Sequence, residues 1–290
     1  LALLPTVALL AAPAGADTGS DQPNVSAPAA IVLEASGDGL PSDADIVLYG
    51  RNDEERRAIA STTKIMTALV AIEHARPGRV LRMQPYAPAP EETTAGLPAG
   101  ERFTVRELLE AMLLPSGGDA AHALALDLAG STARFVDWMN ATARRLGMRH
   151  THYATPVGLD TPGNYSSAGD LARLAVVVLR NPTLASVVNT PRAVLGDGQV
   201  MVNRNDLVGR YPWVVGVKTG HTANAGHCLV GAARHGDTVV ISVVLGDPSE
   251  GARDADTLTL LHYGLGHLRR VEPRRRHQPS RPSPAGMIRS

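Results

Sequence analysis

A single cysteine, Cys228, leaves this 290-residue chain no intramolecular disulfide and no cysteine-based metal cluster. Aromatic residues are scarce, two Trp, two Phe and six Tyr, which argues against base-stacking platforms and aromatic sugar clamps. Neither sign of charge is in excess. Twenty-eight Lys and Arg balance 28 Asp and Glu, so the composition offers no electrostatic footprint for nucleic acid. No window approaches the ~18 consecutive apolar residues of a membrane-spanning helix. The richest internal run, Leu171–Leu179, is interrupted by Arg173 and reads as a buried helix. The ten histidines show no metal-ligand spacing; His150 and His152 share a loop without an acidic partner in register. Neither metal nor cofactor is expected. Lysine is the most telling shortage: only Lys64 and Lys218 occur, and the other 26 basic residues are arginine.

What remains is a globular composition, 44% hydrophobic and 19% charged, long enough for one large or two small domains. Residues 1–12 are apolar and lead to Ala14-Gly15-Ala16, a small-x-small pattern before Asp17. Residues 1–16 therefore read as the apolar core and cleavage site of a secretory signal peptide lacking its charged start, and the protein is expected to be exported to the periplasm or cell wall. Residues 17–28 read as a linker. At the other end, residues 269–290 carry seven Arg and four Pro against one Glu, the composition of a basic disordered tail with at most weak contact to an anionic wall or membrane surface.

Between these ends, Ala29–Ser36 and Ile46–Gly50 are β-rich runs, and Ser61–Ala75 is a helix apolar nearly all round, hence buried on all sides. Thr104 and Glu107 form a capping box opening another helix, which ends before Pro115. Helical patterns follow at 119–129, 132–146 and 167–180. Strand signals return at Trp213–Val217, Gly226–Ala233 and Thr238–Leu245, and Gly251–Leu268 is a final helix. Strands thus come from both ends and helices from the middle. The expected architecture is an α/β (α+β) fold: an antiparallel sheet built from the N- and C-terminal parts, flanked by helices, with an inserted all-helical subdomain at about 84–195. The working domain is expected over 29–268.

Both lysines fall in short constellations. Ser61-Thr-Thr-Lys64 opens the buried helix, and a spacing of three puts hydroxyl and amine on one face. Burial disfavours the ammonium form and moves lysine toward a usable base, a task guanidinium cannot perform. The helix N-terminus favours negative charge at the reacting centre. Lys218-Thr219-Gly220 is expected at a strand end, with Lys218 a point charge for a carboxylate and Gly220 allowing close approach of a ligand backbone. Composition alone gives the two motifs together roughly a one-in-a-thousand chance. Ser116-Gly117-Gly118-Asp119 lies between them in the helical middle; alone it would be an ordinary Gly-rich connection.

Taken in order, Ser-x-x-Lys, Ser-Gly-x and Lys-Thr-Gly form the signature of penicillin-binding proteins and class A β-lactamases. Ile59–Ala68, Leu113–Ala121 and Gly216–Thr222 resemble serine D-alanyl-D-alanine carboxypeptidases of the low-molecular-mass penicillin-binding type (peptidase S11), over about residues 29–268. The resemblance implies a penicillin-binding/β-lactamase-like fold and an enzyme that removes the terminal D-alanine from peptidoglycan stem peptides, with β-lactams as covalent inhibitors. It implies Ser61 as the acylated nucleophile, Lys64 as its base and Ser116 as a proton relay. Lys218, Thr219 and Gly220 would bind the substrate, with Lys218 and Thr219 on its carboxylate. The backbone N–H groups of Ser61 and His221 would form the oxyanion hole, and Arg253 is a further carboxylate candidate.

One departure stands out. Where the family's second motif normally ends in Asn, this chain has Gly118. The missing amide predicts reduced turnover, and Gly118→Asn is expected to raise it. Two alternatives follow: a β-lactamase-like hydrolase, disfavoured because no Glu-x-x-Leu-Asn string occurs in 120–217, and a weakly active or non-catalytic wall-binding homologue.

Overall fold

The computed structural model describes residues 22–35 and 45–276; the expected signal peptide and the tail beyond residue 276 lie outside them. In chain order the elements begin with β1 (Ala29–Ala35) and β2 (Ile46–Arg51), followed by a 3-10 turn at Ala60–Thr63 that runs into α1 (Lys64–His74). Next come β3 (Val80–Arg82), β4 (Arg102–Thr104), α2 (Val105–Leu113), α3 (Gly118–Ala129), α4 (Thr132–Arg145), α5 (Ala168–Arg180) and α6 (Pro182–Val188). The chain continues through β5 (Arg192–Val194), β6 (Val200–Val202), α7 (Leu207–Arg210), β7 (Val214–Thr222), β8 (Gly226–His235), β9 (Thr238–Asp247) and α8 (Glu250–Arg276).

One five-stranded sheet, in the order β2-β1-β9-β8-β7, joins the two ends of the chain. Every neighbouring pair is antiparallel. Strand β1 is buried on both faces, as its run Ile31-Val-Leu33 between two strands demands. Side chains alternate across it. Ile31 joins Ile65, Leu69, Leu174, Ile241 and Val243 on the face covered by α1 and α5. Val32 joins Leu229, Val244, Leu260, Leu261 and Leu265 beneath α8, the period of two expected of a strand. The remaining helices, α2–α4 and α6, continue the first cluster away from the sheet. This is a mixed α/β fold, an antiparallel sheet flanked by helices. The capping box is formed: Thr104 Oγ1 accepts from Glu107 N at 3.2 Å, and Glu107 Oε2 accepts from Thr104 N at 2.7 Å.

Four boundaries differ from expectation. Strand β7 does not end at Val217 but pairs with β8 as far as Thr222, so Lys218-Thr219-Gly220 lies inside a strand. Hydrogen bonding along the hairpin, which composition does not reveal, carries it there. Helix α8 runs on past Leu268 to Arg276, because Pro273 falls in its last turn, where the one lost hydrogen bond interrupts nothing beyond. Residues 22–28 do not behave as a linker: Val25 and Ala27 are buried. The hairpins β3–β4 and β5–β6 went unforeseen because three-residue strands are too short to display a period.

The 22–28 segment is held by two carboxylates. Asp256 accepts from Ser26 N at 2.6 Å and Ala27 N at 2.8 Å, while Ser26 Oγ donates to Asp247 Oδ1 at 3.0 Å. Burial, then the neighbouring Asp256, hold the Asp247 carboxyl well above the usual carboxylate range. A folded-state pKa above the unfolded one means that the native state binds the extra proton. Asp247 therefore contributes stability that is full below about pH 4 and fades as pH rises through its raised value. The melting temperature is expected to decline over that window in the parent and to flatten in Asp247→Asn, as thermal scans from pH 4 to 8 would measure.

Candidate active site

Sequence alone predicts a continuous helix from Ser61. Instead Ser61 sits on the 3-10 turn and Lys64 begins the α-helix. With three residues per turn, positions i and i+3 eclipse, which sets the two side chains one above the other more directly than an α-helix would. Lys64 Nζ lies 3.0 Å from Ser61 Oγ and donates to the Val157 carbonyl oxygen at 2.5 Å. Lys64 is 2% exposed, and burial pulls its pKa down to about 8. The carboxylates of Glu92 and Asp119 oppose that shift, and Arg204 adds to it.

The turn is clamped from both sides. On one, the 153–164 segment docks on α1: Thr67 Oγ1 donates to Pro156 O at 2.7 Å, and Asn164 Nδ2 donates to Thr63 Oγ1 at 3.1 Å. Gly158 adopts φ +83°, and a Cβ there would overlap Ala60 O. On the other, β7 presses Gly220 against the turn. A side chain at Gly220 would meet Ile59 O at 3.0 Å and Ser61 N at 3.2 Å. The closeness that Gly220 permits is thus to the backbone around Ser61, where a ligand backbone was expected.

A cleft of about 470 Å³ opens over Ser61, lined also by Ser116, Thr219, Gly220, His221, Arg204 and Arg253. Five separate stretches of sequence, at 61, 116, 204, 219–221 and 253, converge there. Ser116 is buried and holds φ +73°, the left-handed region that costs a non-glycine residue strain. Ala60, one residue before Ser61, does the same at φ +47°. His221 is exposed at the rim and stacks on His227 with ring centroids 4.1 Å apart.

Lys218 is placed differently from expectation. It is 1% exposed and lies beneath the cleft wall, its Nζ 3.5 Å from Thr219 Oγ1. Burial, then Lys64, Arg204 and Arg253, drive its pKa well below the ordinary lysine value. Four cationic side chains thus converge on one wall. Arg253 is already paired with Glu250 at 3.0 Å and Asp254 at 2.7 Å. The exposed guanidinium of Arg204 has no ion-pair partner among the described residues. The sequence does not single out Arg204, because in a chain with 26 arginines nothing local distinguishes it.

The expectation for Gly118 supposes an empty side-chain position, and another residue occupies it. The φ of Gly118 is not in the left-handed region, yet a Cβ at that position would overlap the carboxylate of Glu92. An amide added there would have to displace that carboxylate, so Gly118→Asn is not expected to raise turnover by simple restoration. Asp119 is spent elsewhere: its carboxylate accepts from the backbone N–H groups of Ala95, Gly96 and Leu97 at 2.8–3.0 Å. Cys228 is a buried thiol, pushed up to about 12 by burial, and takes no part. No cluster of three metal-binding side chains exists among the described residues.

Comparison with known proteins identifies the family. The family model described as D-alanyl-D-alanine carboxypeptidase (peptidase S11) matches residues 16–249. The Bacillus subtilis D-alanyl-D-alanine carboxypeptidase DacF is 35% identical over 78% of this chain, which spans only 60% of that protein's length. A D-alanyl-D-alanine carboxypeptidase from Streptomyces sp. strain K15 is 33% identical over 81% of this chain and 88% of its own. The crystal structure of the Streptomyces K15 DD-transpeptidase superimposes with a TM-score of 0.76 at 33% identity, covering 84% of this chain and 99% of that one. With a family model matched over most of its length, a Ser–Lys pair in hydrogen-bond contact and a cationic cleft above it, the chain belongs to the D-alanyl-D-alanine carboxypeptidase family, peptidase S11.

Proposed function

We propose that the protein is an exported serine-type D-Ala-D-Ala carboxypeptidase that trims peptidoglycan stem peptides through an acyl-enzyme on Ser61 and is blocked by β-lactams. The observation that carries this reading is the buried Lys64 amine 3.0 Å from Ser61 Oγ, with a pKa lowered to about 8. In that environment the neutral amine is populated enough near neutrality to take a proton and basic enough to want it.

The chemistry follows from the placement. The substrate ends in a carboxylate, which the cationic wall of Lys218, Arg204 and Arg253 attracts, with Thr219 Oγ1 as a hydrogen-bonding partner at its surface. Ser61 Oγ attacks the carbonyl carbon of the penultimate residue while its proton passes to Lys64 Nζ. The tetrahedral oxyanion draws on the backbone N–H groups of Ser61 and His221, preorganised donors of the kind that stabilise charge as it develops. The C–N bond breaks, the leaving D-alanine amine gains a proton by way of Ser116, and the acyl group stays on Ser61 as an ester. Water then cleaves the ester and returns the proton to the pair. Among the described residues no single helix is long and apolar enough to cross a membrane. The Streptomyces carboxypeptidase named above supports the substrate class.

Purified protein incubated with a D-Ala-D-Ala peptide is expected to release D-alanine. The second-order rate constant should rise with pH through an acid limb near 8, since the base must be neutral and loses its proton as pH increases. Lys64 and Lys218 influence one another, so the limb reports the pair. A rate that is flat from pH 6 to 9 would remove Lys64 as the base. No D-alanine release together with normal penicillin labelling would favour the non-catalytic alternative.

A further inference from the structure

Glu92 lies beside Gly118 on a loop that the three short constellations do not include. The loop between β3 and β4 folds over the start of α3, where Gly118 N donates to Thr93 O at 2.8 Å and Asp119 grips residues 95–97. The Glu92 carboxylate is held from behind by Tyr86, whose hydroxyl lies 2.6 and 2.7 Å from its two oxygens, and Ala89 N donates to Oε2 at 3.4 Å. From the front it fills the space that any side chain at position 118 would need. Glu92 also lines a separate cavity of about 640 Å³ together with Val157, the residue whose carbonyl receives the Lys64 amine. A half-buried carboxylate is thus locked, by an aromatic hydroxyl and a backbone N–H, across a glycine and within the electrostatic reach of Lys64.

We propose that Glu92 is a positioning residue for the Lys64 base: its carboxylate, seated in the opening left at Gly118 and in the cavity it shares with Val157, steadies the ammonium that forms when Lys64 takes the proton of Ser61. This rests on the functional reading above. Three charged groups face Lys64 besides its neighbour Lys218: Glu92, Asp119 and Arg204. Asp119 is committed to four backbone donors and Arg204 carries the opposing sign, which leaves Glu92 as the counter-charge. His122, stacked on Tyr86 at 4.5 Å, and Asp137 are further titratable residues lining the same cavity as the carboxylate; burial lowers the pKa of His122. Glycine at 118 is then the geometric condition for the counter-charge, and a deficit only where no such carboxylate is present.

The test is a set of acylation rates with a fluorescent penicillin from pH 5.5 to 9.5 on the parent, Glu92→Gln, Gly118→Asn and Glu92→Ala/Gly118→Asn, with melting temperatures alongside. Glu92→Gln keeps the shape and a hydrogen bond to Tyr86 but removes the charge. Its acid limb is expected to move to lower pH, because a base without its counter-charge protonates less readily, and its plateau to fall about tenfold as the base weakens. Gly118→Asn should reproduce that shift by evicting the carboxylate. In the double variant the Asn has space, so adding it to Glu92→Ala should cost nothing or improve the rate, a non-additivity of at least fivefold. A Glu92→Gln profile superimposable on the parent's would overturn the proposal, and that variant decides even where Gly118→Asn fails to fold. Equal losses from Gly118→Asn with and without Glu92 would overturn it too. A parent that is not acylated at all would defeat the functional reading itself, a result distinct from either.

Discussion

Treated with a β-lactam, the protein is expected to gain the mass of one acyl group on Ser61, and Ser61→Ala none. The chain contains 15 serines, and among the described residues only Ser61 combines a hydrogen bond to a buried amine with a place in the cationic cleft. A β-lactam carries a carboxylate beside a strained amide, so the wall that draws the substrate's terminus orients the inhibitor as well. Opening the ring forms the same Ser61 ester as the substrate. The leaving amine stays tethered to the acyl group, which is why the adduct persists long enough to weigh. Intact mass spectrometry, followed by peptide mapping, checks both the stoichiometry and the position. The Ala substitution removes one oxygen from a partly buried turn and should leave the stability within about 1 kcal/mol of the parent's. An adduct that survives in Ser61→Ala would move the nucleophile elsewhere.

Lys64→Arg is expected to lower acylation by about 10²–10⁴-fold, the usual worth of a general base. Guanidinium stays protonated, so the positive charge survives while the capacity to accept the Ser61 proton does not. From sequence alone, Lys218→Arg looks mild, because a permanent cation can still attract a carboxylate. The structure revises that expectation. Lys218 is 1% exposed, and the longer, planar guanidinium must displace packed neighbours at about 1–3 kcal/mol. The two variants therefore separate by symptom. Lys64→Arg should bind a fluorescent penicillin without reacting with it at an appreciable rate. Lys218→Arg should melt several degrees lower and lose affinity in proportion, with an acid limb that persists. If Lys64→Arg kept both its acid limb and its rate, another group would be the base.

Much of this was legible in the linear chain because the signals are local. A helix apolar on every side, such as Ser61–Ala75, can only be buried. A capping box such as Thr104/Glu107 is closed within three residues. A chain with two lysines displays by contrast the positions where a deprotonatable cation is used. Runs of β-branched residues at 29–35 and 238–245 sufficed to pair the two ends of the chain in one sheet. Chemistry that depends on residue type at fixed spacing, Ser61 with Lys64, follows from the order of residues alone.

Three decisions belonged to the tertiary structure alone. Whether Lys218 stands in the cleft or under it depends on β7 continuing through Gly220 to Thr222, which hydrogen bonds to β8 determine and local composition does not. Whether Arg204 matters depends on which of 26 arginines folding brings to Ser61. Whether Gly118 is a loss depends on Glu92, a residue of an upstream loop, occupying its empty side-chain volume. Spacing along a chain reports neighbours only within a turn or a strand. Electrostatic and steric partners brought together by loop closure leave no periodic trace, so the residues that tune the Ser–Lys pair became visible only once the space around it was filled.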